Sequence, residues 1–212
     1  MKFIEMDVRD EKAYELAGEW YDDVVFTKKL KLEESPDYGK LKEEIKELRK
    51  RYGKVAVLVI TNKPSLIREL KKRNLRVLIY VQGGNMRVNR FALETGVDAL
   101  ISPEFGRKDN GFDHVLAKIA AKNDVAIGFS LSPLLKADPY ERASILKFMM
   151  KNWQLVEKYR VPRFITSSAE SMWEVRAPRD LMSLGIALGM EISQAKASIS
   201  FYPEKIVKVR YD

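Results

Sequence analysis

Residues 55–60 read VAVLVI and residues 77–81 read VLIYV. Neither run alternates apolar with polar positions, as a strand with one wet face would. Both are nearly continuous apolar and rich in β-branched residues, the pattern of strands covered on both faces in a parallel sheet. Working outward, the same kind of run recurs at Phe3–Val8, Val24–Leu30, Ala99–Ser102, Val125–Leu131 and Phe164–Ser167. The stretches between them are long enough for crossover helices, so the repeating unit is βαβ. Seven such units, with no linker rich in Pro, Gly or Ser, predict one α/β domain over residues 1–212, a TIM-like (β/α) barrel of seven parallel strands. A doubly wound open sheet is the competing arrangement.

Helix ends are legible. Asn85 is placed to cap MRVNRFALET (86–95), whose Val88, Phe91, Ala92 and Thr95 share a face, and Gly96 stops it. A helix over Lys40–Tyr52 buries Leu41, Ile45 and Leu48 and ends at Gly53, with Glu47 and Arg51 paired at i,i+4 on its outer face. Another over Asp113–Lys122 carries His114, Lys118 and Lys122 as one stripe, with Val115, Leu116, Ile119 and Ala120 turned to the core. Pro178 suits the first turn of RDLMSLGIALG. The tail should form a short helix from about Gln194 and then a segment packed under the barrel.

Composition removes whole classes of chemistry. There is no Cys and one His, which excludes disulfides, thiol nucleophiles, thiolate zinc sites and two-histidine pairs. The first dozen residues lack a signal-peptide core and no run is long enough for a membrane span, so a cytoplasmic protein without membrane contact is expected. Charge is uneven: residues 1–52 hold 12 basic and 14 acidic side chains, whereas 53–212 hold 26 and 16. That basic bias suggests a polyanion such as nucleic acid, with an ordinary solvated surface as the alternative.

In a β/α barrel, function gathers where strands end. Those positions offer Asp7/Arg9, Thr61/Asn62/Lys63, Gln82/Gly83/Gly84, Ser102, Ser130/Ser132 and Ser167/Ser168. No G-x-S-x-G elbow surrounds a serine, and the only imidazole lies on a helix, so no catalytic residue is assigned. No carboxylate cluster accompanies Asp7, so no metal ligand is assigned either. Gly83-Gly84-Asn85 could present backbone N–H groups to phosphate, though a tight βα turn is the favoured explanation. Cations are more informative. Arg87 and Arg90 sit at i,i+3, Arg107-Lys108 lead into the His114 helix, and Arg176 and Arg179 flank Pro178 beside Trp173. Guanidinium groups with a neighbouring aromatic suit phosphates and unstacked bases. The plain alternative is salt bridging, Arg90 with Glu94 and Arg176 with Asp180.

The stretches GVDALISPEFGRKDNGFDHVLAKIA (96–120), AIGFSLSPLL (126–135), ERASILKFMM (141–150), RFITSSAESMWEVRAPRDLMSLGIALGM (163–190) and QAKASIS (194–200) resemble the archaeal ribonuclease P protein component 3 family, and the likeness runs from Lys2 to Tyr211. The resemblance implies a seven-stranded barrel akin to the polymerase-and-histidinol-phosphatase proteins. It implies an accessory subunit of ribonuclease P, which removes 5′ leaders from precursor tRNA. The RNA subunit, using Mg²⁺, would cleave, and the protein would hold no cofactor. Implied partners are ribonuclease P RNA, the ferredoxin-like protein component 2 and precursor tRNA. Metal-dependent barrels of that kind carry histidine motifs at strand ends; this chain has Met6-Asp7-Val8-Arg9 where the first would fall. By family motif, Arg87, Arg90, Arg107, His114, Arg176 and Lys196 are the expected RNA contacts. The alternative is an autonomous barrel hydrolase or isomerase acting on a phosphorylated small molecule through Gly83-Gly84 and the strand-end serines.

Overall fold

The computed structural model describes residues 2–211, so Met1 and Asp212 of the expected 1–212 domain lie outside the described residues. Seven parallel strands form one sheet in sequential order: β1 (Ile4–Val8), β2 (Asp23–Lys31), β3 (Val55–Ile60), β4 (Leu78–Gln82), β5 (Ala99–Ile101), β6 (Ala126–Ser130) and β7 (Arg163–Thr166). The barrel expected from sequence is present, with strand limits moved by a residue or so. Each crossover contains helix: α1 (Glu11–Trp20), α2 (Tyr38–Tyr52), α3 (Pro64–Lys72), α4 (Met86–Thr95), α5 (His114–Lys122), then the pair α6 (Ser132–Lys136) and α7 (Pro139–Lys158). After β7 come a 3₁₀ turn (Met172–Glu174), α8 (Pro178–Ala187), α9 (Ile192–Ala197) and α10 (Phe201–Tyr211).

The unbroken apolar runs are explained by two cores. Met6, Val25, Leu58, Leu78, Tyr80, Ile101 and Phe164 fill the barrel interior. Their neighbours, such as Val57, Val59, Val81, Leu100 and Ile127, face the helices. Strand period two thus buries both faces. Gly128 is required in the interior, because a Cβ there would lie 2.9 Å from the Phe164 ring.

The barrel does not close by strand pairing all the way round. Between β7 and β1 only the Val8–Ala169 bridge pairs the upper part, with Arg9 N–H donating to Ala169 O at 2.8 Å. Below it the segment after α9 wedges into the gap. Ile4 N–H donates to Ile199 O and Ile165 N–H to Ser198 O, both at 3.0 Å. The two facing strand edges thereby find acceptors without pairing with each other. α10 then crosses the N-terminal ends of the strands, as the sequence suggested. Val207 enters the interior core, the Tyr211 hydroxyl donates to Val55 O at 2.6 Å, and Arg210 meets Asp98 at 2.9 Å.

Several helix details differ from expectation. Val115 is 43% exposed rather than in the core, because α5 starts at His114 and its buried face is Leu116, Ala117 and Ala120. Glu47 pairs with Lys50 at 2.7 Å, while Arg51 is drawn across to Glu11. The short tail helix begins at Ile192, two residues before Gln194, behind a capping box of Glu191 and Gln194. α4 buries Asn89 and Leu93 beside Val88 and Ala92, whereas Phe91 is half-buried under the Arg68 guanidinium, 4.7 Å away. The Asn85 cap, the Gly96 stop and Pro178 at a helix start are all as expected.

Candidate nucleic-acid interface

The loops after β4 and β5 are built as one unit, with Asn89 as the joint. This residue is fully buried. Its amide donates to Pro103 O (3.0 Å) and Gly111 O (2.8 Å), and its Oδ1 accepts from Gly84 N–H (3.2 Å). The chain at 102–105 consequently lies against the glycine pair. A Cβ on Gly83 would come within 2.4 Å of Ser102 O, and one on Gly84 within 2.5 Å of Phe105 O. Gly84 also has φ +122°, open to glycine alone. Close packing of two backbones therefore accounts for Gly83-Gly84, whose other side, with Asn85, Thr61, Asn62 and Lys63, borders an open pocket of about 660 Å³ at the strand ends.

Four expected RNA contacts gather on this flank. The Arg107 guanidinium holds the loop together, Nη1 donating to Gly84 O at 3.2 Å while Nε and Nη2 grip Asp109 at 2.6 and 2.8 Å. Arg87 and Arg90 are exposed on α4 and, with Arg68 and Lys72 of α3, line a groove of about 610 Å³. Arg90 also pairs with Glu94 at 2.8 Å, an exposed ion pair of little stabilising value and readily given up to a phosphate. His114 opens α5 in solvent, beside the Asp113 cap whose charge also reaches Arg90. Arg68 and Lys72 were missed from sequence, although their i,i+4 spacing on the neighbouring helix was visible.

The other two lie elsewhere. Arg176 follows the turn after β7, and its Nη1 donates to the carbonyls of Trp173 (2.7 Å) and Val175 (2.8 Å). Those bonds fold its own loop and replace the expected pairing with Asp180. Lys196 is exposed on α9, which packs against α8 and α10 beyond β7. Strand order puts these residues on a different side of the barrel from the loops after β4 and β5.

At the strand ends of β1, β2, β6 and β7, an ion-pair network fills the mouth. Asp7 is fully buried and held by Arg9 at 2.6 Å, and Arg9 also reaches Glu170 at 3.2 Å. Glu170 takes Lys29 at 2.9 Å and Lys136 at 3.0 Å; Lys136 touches Glu174 at 3.3 Å, which accepts from Ser132 Oγ at 2.9 Å. Partial burial opposes ionisation of Glu170, but Lys29 and Lys136 outweigh it and pull its pKa down to about 2. Each of these carboxylates already has a cation or a donor of this chain. The donor set does not fit a divalent ion: no group of three His, Asp or Glu side chains is arranged for a metal among the described residues. No described helix is long and apolar enough to cross a membrane.

Fold and site together define a parallel β/α barrel whose strand-end Asp7 and Glu170 are neutralised internally and whose exposed cations include a group on the α3–α5 flank. Fold likeness alone extends to a prolidase complexed with N-methylphosphonate-L-proline, with a TM-score of 0.68 at 9% identity over 99% of this chain and 74% of the prolidase. The model of RNase P subunit p30 matches residues 14–211. Ribonuclease P protein component 3 of Thermococcus kodakarensis is 73% identical over 97% of this chain and 93% of its own length; that of Thermococcus gammatolerans is 68% identical over 97% and 96%. A chain in the cryo-EM structure of archaeal ribonuclease P with mature tRNA superposes with a TM-score of 0.79 at 33% identity, covering 98% of this chain and 90% of that one. The chain belongs to the RNase P subunit p30 family.

Proposed function

We propose that this protein serves ribonuclease P as a structural subunit that binds and supports the RNA removing 5′ leaders from precursor tRNA. The observation that carries this is the match, over nearly the whole chain, to a chain of the archaeal particle with mature tRNA. The cationic flank formed by Arg68, Arg87, Arg90 and Arg107, with His114 alongside, supports it, since phosphate contacts supply a large share of the affinity for nucleic acid. In this reading the RNA, with Mg²⁺, cleaves the phosphodiester, and the protein holds no cofactor. A ferredoxin-like component 2 is the proposed protein partner, and the cytoplasm the place of work. Arg176 and Lys196 would meet RNA only on a second side of the barrel, so the flank after β4 and β5 is the primary face.

The rival reading, a hydrolase or isomerase of phosphorylated small molecules, keeps a pocket beside Gly83-Gly84, but the one histidine lies out on α5 and the Asp7 and Glu170 carboxylates are held in ion pairs. The deciding experiment assays purified protein on precursor tRNA with Mg²⁺, Mn²⁺ or Zn²⁺, alone and reconstituted with the RNA and component 2. Cleavage is expected only in the reconstituted sample. Turnover by the protein alone, insensitive to ribonuclease pretreatment and lost in Asp7→Ala, would overturn the proposal.

A further inference from the structure

A groove of about 460 Å³ runs between the loop after β5 and the α6–α7 pair, apart from the α3–α4 groove. One wall is Phe105, 51% exposed, and the other is the half-buried Phe148 of α7. Ser102 and Glu104, only 2% and 4% exposed, border it from the buried side. Ser102 Oγ has no hydrogen-bond partner among the described residues. That oxygen is itself sealed from solvent, so it lies behind the groove wall. Arg107 and Lys108 stand at the rim. Lys108 makes no ion pair among the described residues, whereas Arg107 is held by Asp109 and Lys136, also at the rim, by Glu170 and Glu174.

We infer that this groove receives one unstacked nucleotide of a single-stranded RNA segment, its base against Phe105 and its phosphate on the Arg107–Lys108 side. The volume lies in the range of small-ligand sites, and an aromatic wall with a cationic rim is the usual way to hold a splayed base. Glu141, on the α7 side of the rim, repels phosphate and so assigns the RNA backbone to the opposite side. Glu104, beneath the wall, accepts from Asn152 Nδ2 at 2.9 Å and helps to fix the loop that carries Phe105. A peptide side chain would use the apolar walls but leave the cationic rim without a role.

This site rests on the RNA-facing reading, and its test separates the two. Fluorescence anisotropy would follow the full chain binding single-stranded RNA hexamers of A, C, G or U. Phe105→Ala should weaken binding roughly tenfold or more, as loss of one stacked base does. Lys108→Ala should weaken binding and flatten its salt dependence by roughly one contact at unchanged thermal stability. Phe201→Ala, an exposed aromatic on α10, should leave binding as it was. If Phe105→Ala and Lys108→Ala bind like wild type while Arg87→Ala flattens the salt dependence, the groove assignment falls and the RNA face stands. If Phe105→Ala instead impairs only assembly with component 2, the groove is a protein dock and the inference is wrong. Absence of any hexamer binding by wild type would remove both.

Discussion

Thr166 on β7 donates its hydroxyl to the Glu5 carboxyl on β1, across the one interval of the barrel where two neighbouring strands do not pair. Glu5 also accepts from the Ser167 N–H at 3.3 Å. A carboxyl thus stands in for ladder bonds at the seam. Burial raises its pKa to about 7, against the lowering effect of its donors. Glu5→Ala should therefore destabilise the protein by about 2–4 kcal/mol, because it strands buried donors and opens a cavity. Urea denaturation measures this, and a loss below about 0.5 kcal/mol would show that the seam holds without Glu5.

Stability should depend on pH in two separate windows. Glu5 and Glu104 have folded pKa values near 7, above the unfolded value of 4.5. The folded state then keeps protons that the unfolded state releases, so stability is greatest below about 4.5 and falls as pH rises to about 7. Glu170 works in the opposite sense: its stabilisation is present above 4.5 and is lost as pH falls toward 2. Denaturation midpoints should peak near pH 5, and Glu5→Gln with Glu104→Gln should flatten the neutral limb while leaving the acid limb.

In the mouth, Asp7→Asn removes a fully buried carboxylate from the largely buried Arg9. Breaking such a pair from one side costs about 3–5 kcal/mol. Arg9→Met combined with Asp7→Leu should recover much of that loss, since the pair itself contributes little net stability. A double variant as unstable as Asp7→Asn would mean that Arg9 serves chiefly to hold Glu170 in place.

RNA affinity should fall steeply with salt, and each phosphate contact adds about 0.7–0.9 to the log–log slope. Arg87→Ala and Arg107→Ala should each flatten it by roughly one contact. His114→Ala should weaken reconstituted cleavage with little change in slope. Arg176→Ala should lower the melting temperature instead, because its guanidinium is spent on the Trp173 and Val175 carbonyls. Lys50→Ala, on an exposed pair with Glu47, is the control. An Arg176→Ala slope that changes as much as that of Arg107→Ala would place RNA on the far side as well.

Tyr211 closes the bottom of the barrel by exchanging hydrogen bonds with Val55, accepting from its N–H at 2.7 Å and donating to its carbonyl at 2.6 Å. Tyr211→Phe removes the hydroxyl that meets the Val55 N–H and carbonyl at the start of β3 and should cost about 1–3 kcal/mol. Hydrogen exchange at Val55 reads the change directly and should speed up before the rest of β3 does.

Some of this molecule could be read from the chain alone because the signals are local. Apolar runs such as VAVLVI mark strands buried on both faces, and a cap such as Asn85 acts within three residues of itself, so strand number, parallel order and most helix ends were legible. The absence of Cys and the single His needed no coordinates to narrow the chemistry. Packing between distant segments left no such mark. Glu170 meets Lys29 from 141 positions away, and Thr166 meets Glu5 from 161. Val115 was misplaced because a helical face is fixed by what the helix lies against as well as by its period. Gly83-Gly84 suggested a phosphate cradle, but the close approach of the chain at 102–105 is what demands the two glycines. Arg176 and Arg107 are alike as letters and both tie down loop backbone, yet Arg107 also borders a groove. A charge is written in the sequence, but its available partners depend on which segments the fold brings within hydrogen-bonding distance.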